Sequence, residues 1–168
     1  MKRVVILGRG ASGKSTLARR LGEITGLPVI ELDKVFWQPD LAATPRDQWV
    51  VVQEKLVAQD GCFQDGCFKD GWIMDGDLGP YDVAEVRLRA ADTIIFLDFS
   101  LLRCAWRAVL RSRERANFWR WLMAYRSQSR PALMQAVADY APTAALRVFR
   151  APGALTRFVA EVARESRS

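Results

Sequence analysis

An α/β fold built around a parallel sheet is predicted by three observations. Short apolar runs (Val4-Val5-Ile6-Leu7, residues 27–32, Trp72-Ile73-Met74-Asp75, residues 92–99 and Leu146-Arg147-Val148-Phe149) alternate with segments of helical periodicity. The first run is continuously apolar and β-branched, as a strand covered on both faces of a parallel sheet should be. Directly after it, Gly8-Arg9-Gly10-Ala11-Ser12-Gly13-Lys14-Ser15-Thr16 satisfies the pattern G-x-x-x-x-G-K-[ST] and leads into a helix-like segment.

That loop has a chemistry of its own. Gly8, Gly10 and Gly13 let the backbone curl through Ala11 and Ser12, so that successive N–H groups face one concavity. The helix beginning near Gly13 aims its positive end at the same point. An anion of two or three phosphates fits there. Lys14 would bridge the outer phosphates, the Ser15 hydroxyl would ligate Mg²⁺, and Thr16 would add a secondary phosphate contact. Leu17, Leu21 and Ile24 share one face of the following helix, which stops at Thr25-Gly26, where glycine can take the left-handed conformation.

The second strand, over 27–32, ends at Asp33. In parallel α/β sheets the ligand crevice lies beyond the carboxyl ends of the strands, so Asp33 falls on the rim that carries the loop. It would accept the proton of an acceptor hydroxyl or hold that hydroxyl in line; the plainer alternative is a helix cap. Lys34-Val35-Phe36-Trp37-Gln38-Pro39 suits either an acceptor-pocket wall or ordinary core. A helix is expected from Thr44 as N-cap, with Pro45 in its first turn, to about Gln59.

Residues 60–71 hold a five-residue duplication, Asp-Gly-Cys-Phe-Gln followed by Asp-Gly-Cys-Phe-Lys, which reads as an exposed insertion or hairpin. Cys62 and Cys67 lack the further cysteines and histidines that a zinc site needs. The third strand, Trp72–Asp75, ends in an acid at the usual place of the Walker-B carboxylate, making Asp75 the candidate partner of Ser15 in holding Mg²⁺.

Asp82 and Glu85 form a capping-box pattern, and a fourth strand over 92–99 is apolar enough for the sheet centre. The arginine-dense helix after Ser100 has Leu102, Trp106, Val109 and Leu110 available for the core. Arg107 and Arg111, four residues apart, share one face that would neutralise transferring phosphates or would simply be solvated. An aromatic helix follows from Phe118, with a kink or a new start at Pro131, then a final strand and a closing helix carrying Leu155, Phe158, Val159 and Val162.

With 168 residues, half of them hydrophobic and 26% charged, one domain with a full core is expected. The formal charge of +6 is nearly all arginine, which a polyphosphate ligand explains in part; direct nucleic-acid binding is a minor alternative without a recognisable binding motif. No apolar run approaches the roughly 20 residues needed to span a bilayer. The absence of a signal pattern and the odd number of cysteines lead to the expectation of a cytoplasmic protein, either monomer or homodimer.

Taken together, Gly8 to Thr16, residues 32–39, Trp72-Ile73-Met74-Asp75-Gly76, residues 91–98 and Ser127-Gln128-Ser129-Arg130-Pro131 resemble the nucleoside monophosphate kinase-like branch of P-loop proteins. Within it they look most like the small adenylate kinase-like proteins known as DNA topology modulation proteins. The resemblance implies a three-layer α/β/α sandwich with a five-stranded parallel sheet in order 2-3-1-4-5, ATP as donor and an arginine-bearing lid, here short, near residues 111–117. The implied function is Mg²⁺-dependent phosphoryl transfer from ATP to a small, nucleotide-like acceptor. An ATP-binding regulatory switch with weak ATPase activity, associated with DNA, is the alternative. Relatives continue the Asp-Gly block with Asn-Tyr where this chain has Asp77-Leu78, and the duplicated cysteine loop is foreign to the pattern.

Overall fold

A computed structural model describes residues 1–38, 42–58, 62–63, 66–67, 71–78, 82–111, 119 and 123–167, with the backbone alone at 62–63, 66–67 and 111. In chain order the elements are β1 (Arg3–Gly8), α1 (Lys14–Thr25), β2 (Val29–Glu31), α2 (Leu32–Phe36), α3 (Arg46–Ala58), the two-residue strands β3 (Cys62–Phe63) and β4 (Gly66–Cys67), and β5 (Trp72–Asp75). They continue with α4 (Glu85–Ala90), β6 (Thr93–Leu97), α5 (Leu101–Arg111), α6 (Ser129–Tyr140), β7 (Ala145–Phe149) and α7 (Pro152–Glu165). The main sheet is parallel, in order β2-β5-β1-β6-β7, which is 2-3-1-4-5 counting its own strands. β3 and β4 pair antiparallel, as a hairpin at the duplicated segment would; the rest of residues 60–70 lies outside the described residues, as does the expected lid over 112–117.

Side chains alternate across each strand with period two, so β1 feeds two apolar layers. Val5 and Leu7 join Ile30, Met74, Ile94 and Phe96 under α3, α4 and α6. Val4 and Ile6 join Ile73, Ile95 and Leu97 under α1 and α7. Burial on both faces is why these strands read as unbroken apolar runs. The edge strand β7 is exposed over its first four residues, consistent with Arg147 within it.

Several local expectations are corrected. Residues Leu32–Phe36 turn into a helix, so β2 is shorter than predicted and Asp33 lies in the first turn of α2. The Thr44 hydroxyl donates to the Phe36 carbonyl, while Pro45 supplies the carbonyl that accepts from Trp49 N–H at 2.8 Å. α4 starts at Glu85 with Ala84 at its cap, and Asp82 serves a buried arginine instead of a capping box. At Pro131, where a kink or a new start is expected, the structure has a new start: the proline stands in the first turn of a new helix, a position where its missing N–H costs nothing.

The largest correction concerns α5. Leu102, Trp106, Val109 and Leu110 are exposed, at 83%, 66%, 55% and 67%, and the helix packs inward through Cys104 and Ala108. Arg107 of α5 turns toward the glycine loop.

At the opposite end of the sheet, the Asp92 carboxylate accepts from the N–H groups of Lys2 and Arg3 at 2.7 and 2.8 Å and from the Thr93 hydroxyl. Burial opposes its charge, but these donors prevail and hold its carboxyl below the usual range. A depressed carboxylate contributes stability that is present above its unfolded pKa and lost as pH falls through the lower folded value. Asp92→Asn should therefore cost about 1 kcal/mol at neutral pH, discounted for exposure, or ~3 °C in Tm. Thermal scans should show wild type and variant converging as pH falls below the ordinary aspartate range.

Candidate active site

The loop between β1 and α1 is shaped by backbone that few side chains tolerate. Gly8 has φ 144° and a Cβ there would lie 2.6 Å from the Leu97 carbonyl oxygen, so β6 can run alongside only a glycine. Ala11 takes φ 57°, a left-handed conformation unusual for a non-glycine residue. Ser12 N–H donates back to the Arg9 carbonyl at 3.2 Å, closing the curl. Gly13, at φ 98°, caps α1 without any side-chain hydrogen bond, and no acid stands in the first turn. The first helical N–H groups therefore have no partner supplied by the helix, and the positive end of α1 opens into the curl. The Ser12 hydroxyl is buried there without a hydrogen-bond partner.

Lys14 folds back over this curl. Its Nζ donates to the Gly8 carbonyl at 2.8 Å and more weakly to that of Arg9 at 3.4 Å. The ammonium is thus held across the mouth of the loop, where an anion would meet it. Arg107 of α5 closes the other side: a Cβ on Gly13 would sit 3.1 and 3.2 Å from its two terminal nitrogens. Arg107 therefore lies directly against the loop, whereas the Arg111 side chain lies outside the described residues. Gly13→Ala should strain the backbone, displace Arg107, cost roughly 1–3 kcal/mol and weaken nucleotide binding about tenfold. Parallel thermal unfolding and calorimetric titration of an ATP analogue would check both effects, and Arg107→Ala should recover part of the lost stability in the double variant.

Parallel register sets Asp75 opposite Ile6, beside the strand that enters the loop. Its carboxylate is only 4% exposed, and Oδ1 has no hydrogen-bond partner. Burial pushes its carboxyl above the usual range, against the pull of the Ser15 hydroxyl and the Lys14 ammonium. A buried carboxylate with a free oxygen beside a hydroxyl is a hard-oxygen donor set suited to Mg²⁺. Gly76 follows at φ 149°, and a Cβ there would meet Leu32 at 2.8 Å, so only glycine lets α2 come this close.

Asp33 faces the same region from α2. Its side chain reaches solvent, yet the surrounding protein displaces enough water to raise its carboxyl above the usual range. Lys14 opposes that rise, while Asp75, Asp77 and Asp82 add to it. The structure thus gathers Lys14, Ser15, Asp75 and Asp33 at one end of the sheet. The aromatic block splits: Phe36 is core, edge-on to Trp49 at 5.1 Å, and Trp37 is 41% exposed.

Other contributors had little signal in the sequence. Arg87 is fully buried; its guanidinium binds Asp82 through both terminal nitrogens, donates to Gln53 Oε1 at 3.0 Å and reaches the Gly76 carbonyl at 3.4 Å. It thereby ties α3 and α4 to the turn behind Asp75. A cavity of about 640 Å³ opens beside Ser12, Gly13 and Thr16, between Arg103 and Arg107 on one side and Pro152 on the other. Only a helical arginine period pointed toward Arg103, and nothing pointed to Pro152.

No protein-family model matches this chain, and no curated protein sequence matches it. Among solved structures it is similar to a shikimate kinase from Acinetobacter baumannii in complex with shikimate, with a TM-score of 0.65 and 15% identity over 96% of this chain and 90% of that one. It is also similar to a sugar kinase from Janibacter sp. HTCC2649, with a TM-score of 0.52 and 19% identity over 99% of this chain and 92% of that one. At these identities the likeness is one of fold. The chain has the P-loop kinase α/β fold, a five-stranded parallel sheet in order 2-3-1-4-5 with helices around it.

Proposed function

We propose that this protein is a kinase that transfers the γ-phosphoryl group of ATP to a small, nucleotide-sized acceptor with the help of Mg²⁺. The observation that carries this reading is the gathering of a capless helix N-terminus, the Lys14 ammonium and the buried, part-unpartnered Asp75 carboxylate around the loop, with Asp33 within their electrostatic reach. Likeness in fold to small-molecule kinases supports it at a coarse level.

In this reading the amides from Gly10 to Thr16 and the Lys14 ammonium bind the outer phosphates, and the nucleoside extends into the cavity between Arg107 and Pro152. Ser15 and Asp75 would hold Mg²⁺, which when bound offsets phosphate charge. Arg107, against Gly13, orients the phosphate chain, and Arg111 would add a second positive charge from the same helix. Asp33 receives the acceptor hydroxyl proton as that oxygen bonds to the γ-phosphorus and the bond to the bridging oxygen of ADP breaks. Its raised pKa gives the carboxylate more affinity for that proton than an ordinary aspartate has.

Asp33→Asn should leave ATP-analogue affinity within about twofold and lower acceptor-dependent turnover at least ~100-fold, within the range supplied by a positioned base. Full turnover in that variant would remove Asp33 from the reaction. A panel of hydroxylated metabolites and nucleotides, with ADP release as readout, tests the kinase reading itself. Acceptor-stimulated release supports transfer. Basal hydrolysis alone, unaffected by any acceptor, would favour the alternative of an ATP-binding regulatory switch.

A further inference from the structure

A second cavity, of about 660 Å³, borders the loop and carries chemistry that the proposed reaction leaves unused. Its walls come from Arg9 in the loop, Asp98 at the end of β6, Arg126 and Arg130 near the start of α6, and Arg150 after β7. Asp98 is the sole acid among its described lining residues, against these arginines. It accepts from Arg130 Nε and Nη2 at 3.2 and 3.1 Å and lies 3.7 Å from Arg150 Nε. One carboxylate therefore serves two guanidinium groups and leaves the cavity strongly positive.

Arg9 makes the imbalance acute. It is only 5% exposed, and its Nε and Nη1 have no hydrogen-bond partner. Its guanidinium lies over the Tyr125 ring at 5.2 Å, a contact that stabilises the charge but leaves those N–H groups unsatisfied. A buried guanidinium with unfilled donors, at the edge of a cavity with three more arginines, is arranged for an anion that the protein does not itself supply. Because Arg9 belongs to the loop itself, the cavity lies directly beside it.

We propose that this cavity is a second anion site, distinct from the amide curl of the glycine loop, that takes a phosphate or a carboxylate group on Arg9, Arg130 and Arg150. Asp98 acts as its internal placeholder, holding Arg130 and Arg150 in position and yielding them when the ligand enters. The anion comes either with the phosphoryl acceptor or as a free ion, and the acceptor alternative rests on the kinase reading above.

Inorganic phosphate is the probe. It should be titrated calorimetrically at low ionic strength into the wild-type chain and into Lys14→Ala, in which the glycine loop is crippled. One phosphate site should survive Lys14→Ala. Arg150→Gln, at a largely exposed side chain, should weaken that site about fivefold and Arg130→Gln/Arg150→Gln more than tenfold, while Asp98→Asn should tighten it three- to tenfold by removing the competing carboxylate. Arg9→Met should abolish it, provided the thermal transition persists; the Arg150 and Asp98 variants decide the matter if that variant does not fold.

Loss of all phosphate binding in Lys14→Ala, indifference to the arginine changes, or weaker binding in Asp98→Asn would each overturn the site. These readouts need no turnover, so they stand apart from any failure of the kinase reading. Paired acceptors, a nucleoside monophosphate against its nucleoside and gluconate against glucose, then separate the sources. A KM that rises for the charged member alone in Arg150→Gln assigns the anion to the acceptor; KM values unchanged for both, with phosphate binding still weakened, assign it to a free ion.

Discussion

Replacement of Lys14 by alanine is expected to lower affinity for an ATP analogue at least ~100-fold, equivalent to about 2.7 kcal/mol. The ammonium is held over the loop by the Gly8 and Arg9 carbonyls, so an incoming triphosphate meets a pre-placed cation and no side chain has to be ordered from solvent. Alanine removes the charge and leaves the loop's amide curl, which depends on Gly8, Ala11 and Gly13 rather than on the lysine. The melting temperature should therefore fall by no more than a few degrees, and calorimetry should show the loss in binding itself. Undiminished affinity in a folded variant would defeat the assignment of this loop to phosphates and, with it, the proposed donor site.

The largest stability effect is expected at Arg87. Its guanidinium is fully enclosed and paired with Asp82, which is itself largely buried. Removing one partner strands the other charge, a loss of about 3–5 kcal/mol, or roughly 8–15 °C in Tm for a chain of this size. Arg87→Ala also leaves Gln53 Oε1 and the Gly76 carbonyl without their donor and so loosens the turn behind Asp75. Arg87→Met together with Asp82→Leu removes both charges and should recover a substantial part of the loss. That recovery, followed by thermal unfolding, separates a stranded charge from simple loss of volume. A single variant that melts like wild type would show that the pair contributes nothing net.

What could be read without coordinates was whatever depends on neighbours in the chain. The apolar runs of β1, β5 and β6, the loop from Gly8 to Thr16, the glycine stop at Gly26 and an acid at the end of β5 all follow from local spacing and backbone preference. Sheet order came from resemblance to a family rather than from spacing. The same local logic failed at α5, where a strong apolar period suggested a core face. The structure turns Cys104 and Ala108 inward, exposes Trp106 and sets Arg107 against Gly13, an arrangement fixed by what the helix meets in space and not by its own period.

Sequence alone determined the parallel α/β class and the curled glycine-rich loop, since both arise from periodicity and from glycine's tolerance of left-handed backbone within a few residues. Tertiary structure alone decided that Arg87 pairs with Gln53, 34 residues away, while bracing the Asp75 turn through the Gly76 carbonyl, and that Asp98 holds Arg130 across 32 residues. It also decided that Arg9, at a variable position of the motif, is buried with unfilled donors. Charge pairing and desolvation act through space, and the partner of a buried arginine is set by which strands lie side by side, information that no window along the chain contains.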